Sequence, residues 1–181
     1  MPRLPCPRER FKKFPATVLA IEVSNLQGGL PVDEPRLAEA VRMIFSEAGV
    51  SHGEVSIAVV DDETIHGLNR RHLDHDEPTD VLSFLLEREA DRLDGELVVS
   101  ADTAARCAGQ FGWSAAEELL LYTIHGALHL VGLDDATADE RRRMRRRERQ
   151  YLRRFGIEPR DQPGEDDSHR PLGAVPDGKT S

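Results

Sequence analysis

Apolar and polar positions change period several times along the chain, and each change marks an element. Thr17 to Val23 reads as a strand, and Pro31-Val-Asp-Glu-Pro35 opens a helix whose Leu37, Val41, Ile44, Phe45 and Ala48 recur at helical spacing before Gly49 stops it. Glu54 to Val60 reads as a second strand, and Asp61 or Asp62 as the cap of a short helix carrying Ile65, Leu68 and Asn69. After the polar loop Leu73 to Asp80, Val81 to Leu85 and Glu96 to Ser100 read as a hairpin that turns at Asp94-Gly95. Ser100 caps a helix reaching about Gln110, and Gly112 separates it from a helix opened by the capping box Ser114-x-x-Glu117. That second helix is apolar nearly all round, with Leu119, Leu120, Leu121, Ile124, Leu128, Leu130 and Val131, the pattern of a helix buried in the middle of a domain; Gly132 ends it. A further capping box, Thr137-x-x-Glu140, starts a last helix with the narrow apolar stripe Met144, Tyr151, Leu152 and Phe155.

Four strands among five helices, without regular βα alternation, predict an α+β domain: a small four-stranded mixed sheet packed by about five helices around a buried central one. The domain is expected over residues 17–157. Pro-rich, basic residues 1–16 and polar residues 158–181 have too few apolar side chains to order themselves, and are expected to be a disordered arm and tail.

With 181 residues, 39% of them hydrophobic, the chain can bury one core. The longest apolar stretch, Glu118 to Val131, is broken by Tyr122, Thr123, His125 and His129, so no membrane span is expected. The N-terminal sequence lacks the apolar run of a secretory signal, and a cytoplasmic protein is expected. Cys6 and Cys107 form no CxxC pair and read as free thiols. A net charge of −9 argues against indiscriminate binding to polyanions. The average conceals an asymmetry, because nine arginines fall between Arg141 and Arg154, leaving only 15 of the 24 basic residues for the rest of the chain. One helix is sharply basic and its surroundings are acidic.

The chemistry centres on the buried helix. His125 and His129 are four residues apart, so both imidazoles leave one face about a turn apart, as a shared ion requires. Gly132 then permits the chain to reverse, and Asp134 and Asp135 follow at once to supply a third ligand. Two imidazoles and a carboxylate suit zinc and leave a fourth position open, as a catalytic site needs. Metalloproteases of the H-E-x-x-H type place their base directly after the first histidine, where this chain has Gly126, which disfavours peptide hydrolysis.

HGALHLVGLDD, His125 to Asp135, resembles the H-G-x-L-H-L-x-G-x-D-H signature of YbeY-type endoribonucleases, which mature ribosomal RNA. LNRRHLDHDEPTDVLSF, Leu68 to Phe84, is similar to that family's L-N-x-x-[YF]-R-x-x-D-x-P-T-D-V-L-S-F, and GELVVS, Gly95 to Ser100, to its G-D-I-x-I-S. Met144 and Glu148 also stand where its pattern expects them, so the likeness runs from about residue 18 to 156. The resemblance implies one zinc per chain, with Asp135 at the position of the family's third histidine. A carboxylate there weakens the ion as a Lewis acid and opens the site to Mn2+ or Mg2+. Leu73 stands where the family pattern usually has an arginine, which the resemblance assigns to substrate phosphate or the transition state, and Arg70 or Arg71, one turn earlier, is the expected substitute.

The implied function is a metal-dependent, single-strand-specific endoribonuclease acting in 16S rRNA 3′-end maturation and ribosome quality control, with ribosomal RNA and the small subunit as partners. The alternative is a non-catalytic ribosome-binding assembly factor whose metal is structural. Asp134 is a candidate base, although capping the turn is its simpler role. Asp80 is expected to fix the loop before the third strand, and Glu118, about 10 Å along the helix from His125, to be an outer partner or buried acceptor. Arg142 and Arg146 on the basic helix are the expected contacts to RNA phosphates.

Overall fold

The computed structural model describes residues 18–72 and 79–159. The expected arm (1–16), Leu73 and all but the first two residues of the expected tail lie outside the described residues. Strand β1 (Leu19–Asn25) leads through helix α1 (Glu34–Glu47) to β2 (Gly53–Val60) and α2 (Asp62–His72). The hairpin β3 (Val81–Glu89) and β4 (Arg92–Ser100) precedes α3 (Ala101–Phe111), α4 (Ala115–Leu130) and α5 (Ala138–Arg154). The four strands form one mixed sheet in the order β1-β2-β4-β3, parallel except for the β3–β4 pair. The architecture is α+β, as the pattern predicts.

Side-chain alternation along the strands sorts the core into two layers. Val59, Val81, Leu97 and Val99 point to the face that carries α1 and α4, and Ala58, Val60, Leu82 and Val98 to the face covered by Ile65 of α2. Helix α4 runs through the larger layer and is buried at every residue from Glu118 to Leu130, which is why its sequence is apolar on all sides. Its start is fixed by the Ser114–Glu117 capping box, and that of α5 by the Thr137–Glu140 box.

Two glycines set how closely α4 approaches the sheet. A Cβ on Gly126 would lie 2.8 Å from Val81 Cγ2, 2.9 Å from Leu97 Cδ2 and 2.9 Å from Ser83 Oγ. Ser83 Oγ instead donates to the Gly126 carbonyl at 3.2 Å. A Cβ on Gly95, in β4, would meet Leu130 Cδ1 at 3.1 Å and the Phe84 carbonyl at 3.2 Å.

Gly95 explains the one misplaced turn. The chain does not reverse at Asp94-Gly95 but at Ala90-Asp91, and β3 and β4 both extend beyond the predicted strands, with an irregularity between Leu85 and Glu87. Asp94 accepts from the Glu54 amide at 2.8 Å and from Arg92 Nη2 at 2.6 Å, which ties it into the sheet, and Gly95 is small because Leu130 packs over it. The Asp-Gly pair answers to tertiary contacts and only imitates a local turn signal.

Helix α5 is clamped to α1 through Glu47. The buried Tyr151 hydroxyl donates to Glu47 Oε2 at 2.8 Å, Arg147 Nη2 donates to the Tyr151 oxygen at 3.0 Å, and Arg154 pairs with Glu47 Oε1. Part of the arginine-rich face therefore serves the fold.

Candidate metal centre

The centre is built from three consecutive segments: α4, the turn that follows it, and α5. His125 and His129 lie on adjacent turns of α4 with their Nε2 atoms 2.9 Å apart. The turn returns Asp135 to them, with its two carboxylate oxygens 3.8 Å from His125 Nε2 and 3.8 Å from His129 Nε2. The reversal uses Gly132 at φ 98°, a conformation costly for any other residue. Asp134 Oδ1 accepts from the Asp135 amide at 2.8 Å and so holds the ligand's own backbone. Arg141 Nη1 donates to the carbonyls of Asp135 (3.2 Å) and Ala136 (2.9 Å), pinning the turn to the start of α5.

The outer nitrogens of both rings are already committed. His129 Nδ1 donates to the Leu133 carbonyl at 2.9 Å, and a carbonyl can only accept, so the proton sits on Nδ1. His125 Nδ1 faces Glu148 Oε1 at 2.6 Å across the α4–α5 interface. In the neutral rings this leaves two bare Nε2 lone pairs pointing at each other, next to a carboxylate. Such an arrangement is repulsive unless a proton or a metal ion lies between them. Bonds of about 2.0–2.1 Å in a tetrahedral site separate ligand atoms by about 3.3 Å. The observed separations bracket that value, and the three donors form the group among the described residues able to hold a metal ion.

Electrostatics agree. Burial works against charge on His125, but the hydrogen bond and charge of Glu148, helped by Asp80 and Asp135, outweigh it and raise the pKa above the ordinary histidine value. His129 is lowered by burial and by the charge of His125. Asp135 is raised by burial, against the pull of both imidazoles. The carboxylates of Glu148, Asp80 and Asp135 thus act together on the His125 ring.

The predicted trio is thus brought together. Asp80 is buried and accepts from the Val81 amide at 2.9 Å, the loop-fixing role expected of it, and it also contributes its charge to His125. Glu118 is buried on α4. Arg142 and Arg146 are exposed on α5, Arg142 paired with Asp139. Arg70 and Arg71 are exposed on α2, which packs on the face away from α4, and Arg71 Nε donates to the Gly67 carbonyl at 3.0 Å.

Glu148 is the residue in contact with the centre to which the sequence pattern assigns no role. Its signal was present: it falls on the same stripe as Met144, Tyr151 and Leu152, so an acid occupies a buried position of an otherwise basic helix. The Leu133 carbonyl had no signal, since every residue carries one.

Comparison with known proteins adds to this geometry. The model of the family described as "Endoribonuclease YbeY" matches residues 22–156. Relatives of that name include one from Rhodopirellula baltica, 43% identical over 133 residues and spanning 72% of this chain and 69% of that protein. Another, from Pelotomaculum thermopropionicum, is 39% identical over 150 residues, 77% of this chain and 99% of that protein. The solution structure of TM1509 from Thermotoga maritima aligns with a TM-score of 0.50 at 25% identity, over 81% of this chain and 99% of that one.

Proposed function

The chain belongs to the YbeY endoribonuclease family, and on that premise we propose that it cleaves single-stranded ribosomal RNA with one divalent ion held by His125, His129 and Asp135. The observation that carries this reading is the convergence of three donor atoms whose outer partners are already engaged. Zinc suits two imidazoles and a carboxylate, with Mn2+ or Mg2+ as the alternatives that the carboxylate admits. When bound, such an ion supplies Lewis-acid chemistry to a phosphodiester and to water.

The chain's own residues do the rest. His125 and His129 present fixed lone pairs from a rigid buried helix, so the site is organised before substrate arrives. Asp135 closes the third side and adds a negative charge. Asp134 spends one carboxylate oxygen on the Asp135 amide, which makes it a holder of the ligand turn and gives no ground for naming it the base. Gly126 has no room for a side chain, so the base of H-E-x-x-H proteases cannot be installed here without displacing α4 or the side chains of Val81, Leu97 and Ser83 beneath it.

Arg142 and Arg146, exposed on the helix that begins beside Asp135, are suited to phosphate contacts, as are Arg70 and Arg71 on α2. In this reading the protein acts in 16S rRNA 3′-end maturation and ribosome quality control, on the small subunit in the cytoplasm. No helix of the described residues is long and apolar enough to cross a membrane.

The test is elemental analysis of the purified protein and of His125→Ala, followed by incubation of both with single-stranded rRNA fragments. One metal per chain, lost with His125 together with cleavage, is expected. Metal without cleavage would favour a ribosome-binding assembly factor, and absence of metal from the native protein would remove the centre. RNA binding should weaken steeply with salt, and Arg142→Ala with Arg146→Ala should lower the slope of log affinity against log salt by about 2. An unchanged slope would take those arginines out of the interface.

A further inference from the structure

We propose that Glu148 is a positioning residue of the centre: it fixes the tautomer of His125 and supplies the second of two negative charges that offset a divalent ion. The inference rests on the metal reading above. Glu148 projects from α5 with only 7% of its side chain exposed, and its Oε1 meets His125 Nδ1 at 2.6 Å, at the short limit of charge-assisted hydrogen bonds. His125 itself is 1% exposed, so neither group has bulk water to fall back on.

A neutral imidazole carries one proton, and the partner of one nitrogen decides which nitrogen keeps it. The Glu148 carboxylate holds that proton on Nδ1 and leaves Nε2 bare, facing His129 Nε2 and Asp135. It also raises the basicity of the ring as a ligand.

Charge makes a second, independent argument. A divalent ion with two neutral imidazoles and Asp135 keeps one net positive charge in a site walled by buried α4. Burying an uncompensated charge is costly. Asp80 and Asp134 act on the centre through space, and Glu148 is the carboxylate in direct hydrogen-bond contact with a ligand ring that can bring the sum to zero. Because it comes from α5 while the imidazoles come from α4, the ion's hold depends on the packing of the two helices.

The experiment compares the wild type with Glu148→Gln, which keeps shape and an acceptor but not charge, and Glu148→Leu, which keeps neither. Zinc affinity is read by competition with a chromophoric chelator. The His125 tautomer is read in the metal-free proteins from long-range proton–nitrogen NMR, at a pH high enough for the ring to be neutral. Expected are a zinc affinity about 10–100-fold weaker in Glu148→Gln, and a wild-type Nδ1–H tautomer that Glu148→Leu shifts towards Nε2–H. A folded Glu148→Leu with the wild-type tautomer would overturn the assignment. If Glu148→Leu does not fold, Glu148→Gln decides, and unchanged affinity with unchanged nitrogen shifts overturns it. A wild type that binds no zinc would defeat the metal reading, while the tautomer would still show whether Glu148 orients His125.

Discussion

Gly126 offers a test in which local and tertiary physics predict opposite signs. It lies inside α4, where alanine is favoured over glycine by about 1 kcal/mol on helix propensity alone. The structure predicts the reverse. A methyl group at this position would sit 2.8–2.9 Å from side-chain atoms of Val81, Leu97 and Ser83, and reaching ordinary contact beyond 3.4 Å requires α4 or all three side chains to give by roughly half an ångström. Val81 is β-branched and stiff, and the contacts come from both β3 and β4, so no single rotamer change relieves them. Overpacking of this kind costs about 1–3 kcal/mol, against which the propensity gain returns about 1 kcal/mol, leaving a net loss of up to about 2 kcal/mol for Gly126→Ala. The control is Gly109→Ala in α3, where a Cβ meets nothing within 4 Å, so that propensity should prevail and stabilise by up to about 1 kcal/mol. Urea unfolding of the three proteins measures both, as opposite shifts of the midpoint at constant slope. Zinc affinity of Gly126→Ala should fall as well, because His125 is its neighbour and moves with it. A Gly126→Ala protein as stable as Gly109→Ala would refute the claim that close packing, and not chance, keeps glycine beside His125.

Other expectations concern single groups. Asp135→Ala should weaken zinc binding by more than the 10–100-fold that loss of an outer partner costs, and chelator competition would expose any smaller effect. Asp62 links α2 to α3; burial raises its pKa, but hydrogen bonds from Arg106, Ser100 and Thr103 outweigh this and hold it below the ordinary carboxylate value. Its contribution is therefore present above the unfolded pKa and lost as pH falls through the folded one, so the stability gap between wild type and Asp62→Asn should be full at pH 7 and shrink below about pH 4. A gap that widens on acidification would contradict the sign. Tyr151, pushed up to about 12 by burial and by its bond to Glu47, should stay protonated past pH 11 when followed by absorbance in a Tyr122→Phe background; ionisation near pH 10 would show that the α1–α5 clamp opens in solution.

Much of this architecture was legible in the sequence because its signals are local. The capping boxes at Ser114 and Thr137 depend on atoms three residues apart, and they start α4 and α5 where the pattern places them. The apolar circumference of α4 predicts its burial. The i, i+4 histidines, a glycine able to take positive φ and the aspartates behind it announce a centre, since helical geometry and one turn suffice to bring these donors together.

Tertiary structure decided whatever depends on a partner distant in sequence. Asp94-Gly95 carries the strongest hairpin signal in its segment, yet it lies inside β4, because Glu54, Arg92 and Leu130 claim those two residues. The acid at 148 falls on a buried stripe, but that it meets His125 Nδ1 follows only from the docking of α5 on α4. Gly126 reads from sequence as a missing catalytic glutamate, whereas the fold makes it a packing requirement imposed by two strands. Short-range patterns could name the three donors, because one helix and one turn carry them; which atoms orient those donors, and how tightly the sheet presses on them, follows from contacts that exist only once the chain has folded.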